Sequence, residues 1–117
     1  MFKGKILVCD DVLSNRKLLC RLLSRRGYDY GTAEDGQVCV DMMEGPQGSE
    51  YTCILMDNHM PNMTGTTATA ILREKNFTLP IFGLTGSVMK EDLDLFLESG
   101  ADYVFEKPLN IELFDEK

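Results

Sequence analysis

Asp10, Asp11, Asp57, Thr85 and Lys107 are the side chains through which this sequence could do chemistry. Each stands where a short apolar run gives way to polar or turn residues. Asp10-Asp11 follows Lys5–Cys9, Asp57 follows Cys53–Met56, Thr85 follows Ile81–Leu84, and Lys107 comes just past Tyr103–Phe105. Taken singly they are ordinary, since an aspartate after a strand is commonly a turn or cap residue. Brought together they describe something specific. Gathered carboxylates repel one another and raise each other's pKa values, which demands a cation. Mg²⁺ suits such a set, because it takes a few carboxylates and keeps waters and a phosphate oxygen as its other ligands. Lysine is a compact positive charge for a phosphate, and a threonine hydroxyl can donate to another phosphate oxygen. Acid cluster, Mg²⁺, hydroxyl and ammonium together point to phosphoryl transfer, with one carboxylate as nucleophile. No Gly-rich phosphate loop is present, so ATP is not expected as the direct donor.

These residues meet only if the elements carrying them share one rim. Short apolar runs bounded by turn residues read as buried strands. After Lys5–Cys9, Ser14 is expected to cap a helix to about Arg26, with Leu18, Leu19, Leu22 and Leu23 facing inward and Gly27 ending it. Tyr28–Ala33 reads as a more polar strand near an edge. Glu34-Asp35-Gly36 turns into a helix carrying Val38, Val40, Met42 and Met43, and Gly45–Ser49 reads as a plain loop. The Asp57 strand is followed by a polar loop and a helix from about Thr66 to Lys75, whose threonines are poor helix formers. Lys90–Ser99 is amphipathic, with Leu93, Phe96 and Leu97 inward and Glu91, Asp92, Asp94 and Glu98 outward, and Gly100 stops it. From Ile111 to Lys117 there is room for barely two turns of a last helix, which reads as truncated, as in a domain cut from a longer chain. Strand and helix alternate throughout. That pattern predicts an α/β fold, a parallel sheet with helices on both faces, whose strands all end on the same edge.

At 117 residues the chain is expected to be one domain, 1–117, with 44% apolar and 26% charged residues as in ordinary globular proteins. A net charge of −7 argues against nucleic-acid binding, which needs a basic face. No apolar run approaches the roughly 20 residues of a membrane span, and the start at Met1 is too short for a secretory signal. Cys9, Cys20, Cys39 and Cys53 lie far apart with no Cys-x-x-Cys pair, so neither a zinc knot nor a redox motif fits. Reduced thiols in a cytoplasmic or nuclear protein are the expectation.

The set Asp10-Asp11, Asp57-x-x-Met60-Pro61-x-Met63-x-Gly65, Thr85 and Lys107-Pro108 resembles the receiver domains of two-component response regulators, over nearly the whole chain. The resemblance implies a flavodoxin-like doubly wound sheet of five parallel strands in the order 2-1-3-4-5, with the acidic residues at its switch point. It implies that Asp57 is the phosphoacceptor, attacking a phosphohistidine on a histidine kinase or histidine phosphotransfer domain. Asp11 would bind Mg²⁺ directly and Asp10 through water, with Asp57 and the His59 backbone carbonyl as further ligands. Lys107 would pair with the carboxylate and then with a phosphoryl oxygen, while Thr85 would turn toward the phosphoryl group. Such domains catalyse only their own phosphorylation and slow dephosphorylation, and act as switches rather than enzymes. The resemblance fits a free-standing regulator or part of a hybrid histidine kinase, at the cytosolic face if that kinase is membrane-bound.

The sequence departs from the family at three places. Val104 stands where Tyr or Phe is usual, and Tyr103 and Phe105 alternate to the opposite face, so output relies on Thr85 with backbone movement or on a bulge that brings Tyr103 round. Gly86 replaces the usual alanine, and Thr64 stands where an acidic or amide residue is common. By the same resemblance His59 and Ser87 are expected to border the site and tune access of hydrolytic water. Arg16, Lys17, Arg21, Arg25 and Arg26 form either a solvated helix face or, by analogy, the surface on which the partner histidine domain docks. The acidic Lys90–Ser99 helix would belong to the output surface. Met56, Met60 and Met63 read as packing. The competing reading is a degenerate receiver that acts only as a protein-interaction module. A phosphohydrolase of the haloacid dehalogenase type is disfavoured, since it wants a second aspartate where His59 stands.

Overall fold

The computed structural model describes residues 4–86, 89–107, 109–111 and 114. Strands β1 (Lys5–Cys9), β2 (Asp29–Ala33), β3 (Cys53–Asp57), β4 (Ile81–Thr85) and β5 (Tyr103–Glu106) form one parallel sheet in the order β2-β1-β3-β4-β5. Helices α1 (Leu13–Arg25), α2 (Gly36–Glu44), α3 (Gly65–Glu74) and α4 (Lys90–Ser99) connect them. Parallel neighbours need crossovers, and alternation of strand and helix supplies them. The expected final helix begins at Ile111; its extent lies outside the described residues, as do Met1–Lys3, Ser87 and Pro108.

The pleat divides the apolar residues between two cores. Leu7, Cys9, Ile54, Met56 and Ile81 pack with Val40, Met43, Ala68, Leu72 and Phe96 from α2, α3 and α4. Ile6, Val8, Leu55, Phe82, Leu84 and Phe105 face the other way, onto Leu19, Cys20 and Leu23 of α1 and onto Phe114. Every residue of β3 and β4 is buried, whereas β2 at the edge is mostly exposed. Leu7, Ile54 and Leu55 are wholly enclosed, and truncating one of them to alanine would cost about 2–5 kcal/mol. The sheet is thus a stiff frame whose strand ends are fixed in position. All four cysteines are buried free thiols, and burial pushes the Cys53 thiol up to about 12.

Four local expectations are corrected. Helix α1 begins at Leu13, before Ser14, with Val12 as its cap residue and no side-chain cap bond. The Val12 N–H is taken instead by Asp10 Oδ1 at 2.9 Å. Leu18 is 49% exposed, and Cys20 is buried on the inner face instead. Leu97 of α4 is likewise exposed, at 48%, leaving Phe96 as that helix's buried anchor. The loop Gly45–Ser49 runs into a 3₁₀ turn at Gly48–Glu50.

The threonines of α3 turn out to be used. Thr64 caps the helix by accepting from the Thr67 N–H at 3.3 Å, and Thr69 donates to the Gly65 carbonyl at 2.8 Å. Thr66 and Thr69 are buried. Packing overrides weak propensity here.

Candidate functional site at the carboxyl ends of the strands

The sheet delivers the five residues to one rim. Asp10 follows β1 and is 1% exposed, and Asp57 ends β3 at 3%. Asp11 beside them is exposed. One carboxylate oxygen from each of these three lies within 4.8 Å of the others. Lys107, just beyond β5, reaches across β4 and places Nζ 2.6 Å from Asp57 Oδ1 and 3.8 Å from Asp10 Oδ2. Thr85 ends β4 and is buried, and its carbonyl accepts the Lys107 N–H at 2.8 Å. The ends of β4 and β5 are therefore tied together at the site.

Backbone packing explains why Asp57 sits where it does. Gly65 opens α3 directly against the end of β3, and a Cβ there would run into the Asp57 carbonyl. Only glycine permits that approach. Asn58 closes the loop by accepting from the Gly65 N–H through its carbonyl at 3.0 Å and from the Thr66 N–H through Oδ1 at 3.1 Å.

The electrostatics are unbalanced. Burial pushes the Asp57 carboxyl above its ordinary range, Lys107 pulls it back, and Asp10 adds a further push upward. Asp10 Oδ2 is buried and accepts no hydrogen bond among the described residues. A buried carboxylate oxygen without a donor is costly. An all-oxygen cluster with such an orphaned acceptor is the donor set a hard divalent cation takes, so the residues present fit Mg²⁺.

Two further residues belong to this rim and were not singled out from sequence. Arg16, read there only as part of a basic face, donates from Nη1 to the Asp10 carbonyl at 2.7 Å and so props the first acidic residue. Asp35 caps α2 and also binds Asn62 in the loop after β3. The cap was visible as Asp35-Gly36 before an apolar run; the bond to Asn62 crosses 27 positions and was not.

His59 is exposed on that loop, while Met60 is buried and Met63 packs against the α2–α3 core. Val104 lies opposite Gly83 and packs on the α4 side, with Tyr103 and Phe105 in the other core. The β4–β5 register runs unbroken from Phe82↔Tyr103 to Thr85↔Glu106. A bulge bringing Tyr103 to the site is therefore excluded. Ser87 lies outside the described residues. Beside the site a cleft of about 280 Å³ opens along α1, walled by Leu18, Leu22 and Leu109 and floored by Asp10 and Lys107.

Comparison with known proteins agrees with this fold. The response regulator receiver domain family matches residues 6–117. Hybrid signal transduction histidine kinase I of Dictyostelium discoideum is 38% identical over 99% of this chain and 7% of its own length. Sensor histidine kinase RcsC of Escherichia coli K12 is 36% identical over 95% of the chain and 11% of its own length. The chain thus spans about a tenth of these relatives. Among solved structures, a Francisella response regulator receiver domain superposes with a TM-score of 0.86 at 27% identity, covering 96% of this chain and 90% of that one. Sequence match and strand order agree, and the chain belongs to the response regulator receiver domain family.

Proposed function

We propose that the chain is a phosphoryl switch in which Asp57 takes a phosphoryl group from a phosphohistidine. The donor would be a histidine kinase or a histidine phosphotransfer domain, the class of partner that receiver domains pair with. An Asp57 oxygen forms the new P–O bond while the P–N bond to the imidazole breaks, and the departing imidazole takes up a proton. The supporting observation is the buried Asp57 at a strand end, with Lys107 at 2.6 Å and two carboxylates within 4.8 Å.

Each residue then has a task. Asp10, Asp11, Asp57 and the His59 carbonyl would hold Mg²⁺, which supplies positive charge for the phosphoryl oxygens. Lys107 holds Asp57 ionised before transfer and pairs with a phosphoryl oxygen after it. Thr85 offers its hydroxyl to another oxygen. Because Lys107 N–H is bonded to the Thr85 carbonyl, movement at the end of β4 passes to β5 without an aromatic residue at Val104. The apolar cleft along α1, ending on Asp10 and Lys107, and the basic side chains of the same helix form the approach for the partner. His59 and Ser87 tune how long the acyl phosphate survives.

Intact-mass spectrometry tests the reading. Incubation with Mg²⁺ and acetyl phosphate should add one phosphoryl group to wild type, none to Asp57→Asn, and none when EDTA is present. A folded wild-type protein that binds Mg²⁺ yet stays unmodified, with acetyl phosphate and with a phosphohistidine donor, would instead indicate an interaction module.

A further inference from the structure

Asp35 is an acidic residue of the same rim that lies outside the cluster, and its two oxygens do different things. Oδ1 accepts the Val38 N–H at 2.9 Å and caps α2; Oδ2 accepts the Asn62 side-chain amide at 2.8 Å. Asn62 sits in the loop between β3 and α3 with φ at 66°, a left-handed conformation that asparagine tolerates better than most non-glycine residues. One residue on, the Met63 carbonyl accepts the Gly36 N–H at 3.3 Å. A Cβ at Gly36 would stand 2.7 Å from that carbonyl, so glycine is what lets α2 come so close. The tip of the loop is thus stitched to the first turn of α2 at two points. Its base is fixed separately by Asn58, through the Gly65 and Thr66 amides. His59 lies between the two anchorages.

We propose that Asp35 is a positioning residue for the cation site, holding through Asn62 the loop that presents the His59 carbonyl. This rests on the phosphoryl-switch reading above, in which that carbonyl is a ligand. The Val38 N–H and the Asn62 amide keep the Asp35 carboxyl below its ordinary range, so at neutral pH both bonds are charge-assisted. Asp35 is buried while Asn62 is exposed, so the bond between them is part-buried. A simpler role, helix capping alone, would use only Oδ1 and would leave the loop indifferent to Asn62.

Two variants separate the roles. Asp35→Ser keeps a capping hydroxyl but is too short to serve Val38 and Asn62 together. Asn62→Gly keeps the left-handed backbone without the amide. In metal-free protein both should speed amide hydrogen exchange across residues 58–64, and Asn62→Gly should leave exchange in α2 unchanged. In calorimetric Mg²⁺ titrations both should weaken binding about tenfold, the lower end of what outer-shell partners contribute to metal affinity. If wild type binds Mg²⁺ and both variants bind it equally well, Asp35 is only a helix cap and the proposal is overturned. Failure of wild type itself to bind Mg²⁺ would overturn the phosphoryl-switch reading and this proposal with it.

Discussion

The two ends of the sheet treat charge in opposite ways. At the amino ends of β4 and β5 one arginine uses four of its five N–H donors. Arg73 donates Nε to the Gly100 carbonyl at 2.9 Å, Nη1 to the carbonyls of Phe77 and Leu79 at 2.7 and 2.9 Å, and Nη2 to Asp102 at 2.9 Å. Asp102 in turn accepts the Ile81 N–H at 2.9 Å, and its own N–H goes to the Ile81 carbonyl at 2.8 Å. That end is closed. At the carboxyl ends, three carboxylates crowd together, Lys107 reaches two of them, and a buried oxygen of Asp10 accepts no hydrogen bond among the described residues. Among the described residues the same sheet therefore carries one rim whose buried side-chain polar groups are satisfied and one that a ligand would complete. Incomplete bonding in an otherwise consistent fold marks where function sits.

Breaking the closed rim should have the largest effect on stability. Arg73→Ala takes the side-chain donor from three carbonyls and breaks the ion pair with Asp102, and should cost on the order of 3 kcal/mol. For a domain of this size that lowers Tm by more than about 10 °C. Thermal unfolding followed by circular dichroism measures it, and Mg²⁺ affinity of the folded fraction should be unchanged.

Relaxing the open rim should do the reverse. Asp10→Asn removes one of the crowded charges and gives the orphaned position an amide that can donate to Asp57. In metal-free protein it should raise Tm by a few degrees, equivalent to about 1 kcal/mol. The same change should weaken Mg²⁺ binding at least tenfold. If Asp10→Asn destabilises the metal-free protein, the contrast between the rims fails.

The expectation that residues far apart in sequence meet on one rim was legible because four apolar runs end on reactive residues. Lys5–Cys9 became a strand with those bounds, and the runs Cys53–Met56 and Ile81–Leu84 became strands that each include the reactive residue that follows, Asp57 and Thr85. What stayed illegible depended on long-range partners. Ser14 looked like the cap of α1, yet the Asp10 carboxylate reaches forward to the Val12 amide, so chain direction is set before the helix begins. Leu18 fitted the inner face by spacing, but it borders the cleft that ends at Lys107 and stays exposed. The role of Arg73 was not legible, since its partners Gly100 and Asp102 lie 27 and 29 positions away. The Asp35–Asn62 bond was hidden for the same reason.

A pH series sharpens the comparison further. The folded-state pKa of Asp57 is raised by burial, so the folded protein holds that proton more tightly than the unfolded chain does. Stability from this group is therefore present at low pH and is lost as pH rises from the ordinary aspartate value of 3.8 through the raised one. Asp57→Asn lacks this loss. The Tm of Asp57→Asn minus that of metal-free wild type should therefore increase across that window and then level off. Asp35 has the opposite sign: its folded-state pKa is lowered, so its stabilisation is lost as pH falls through that lowered value.

The smallest expected effect lies at Gly86. A Cβ there meets nothing within 4 Å, and the backbone is not in the left-handed region. Gly86→Ala should stabilise by about 0.5 kcal/mol, through the unfolded chain alone. Denaturant titration would detect it as a small rise in midpoint at constant slope.

The most direct test asks which carboxylate carries the phosphoryl group. Borohydride reduces an acyl phosphate to an alcohol, converting a phosphorylated aspartate to homoserine, which peptide mapping locates. After treatment with Mg²⁺ and a phosphoryl donor, homoserine should appear at position 57. Homoserine at position 10 or 11, or at no position in a protein that has gained phosphoryl mass, would contradict the account.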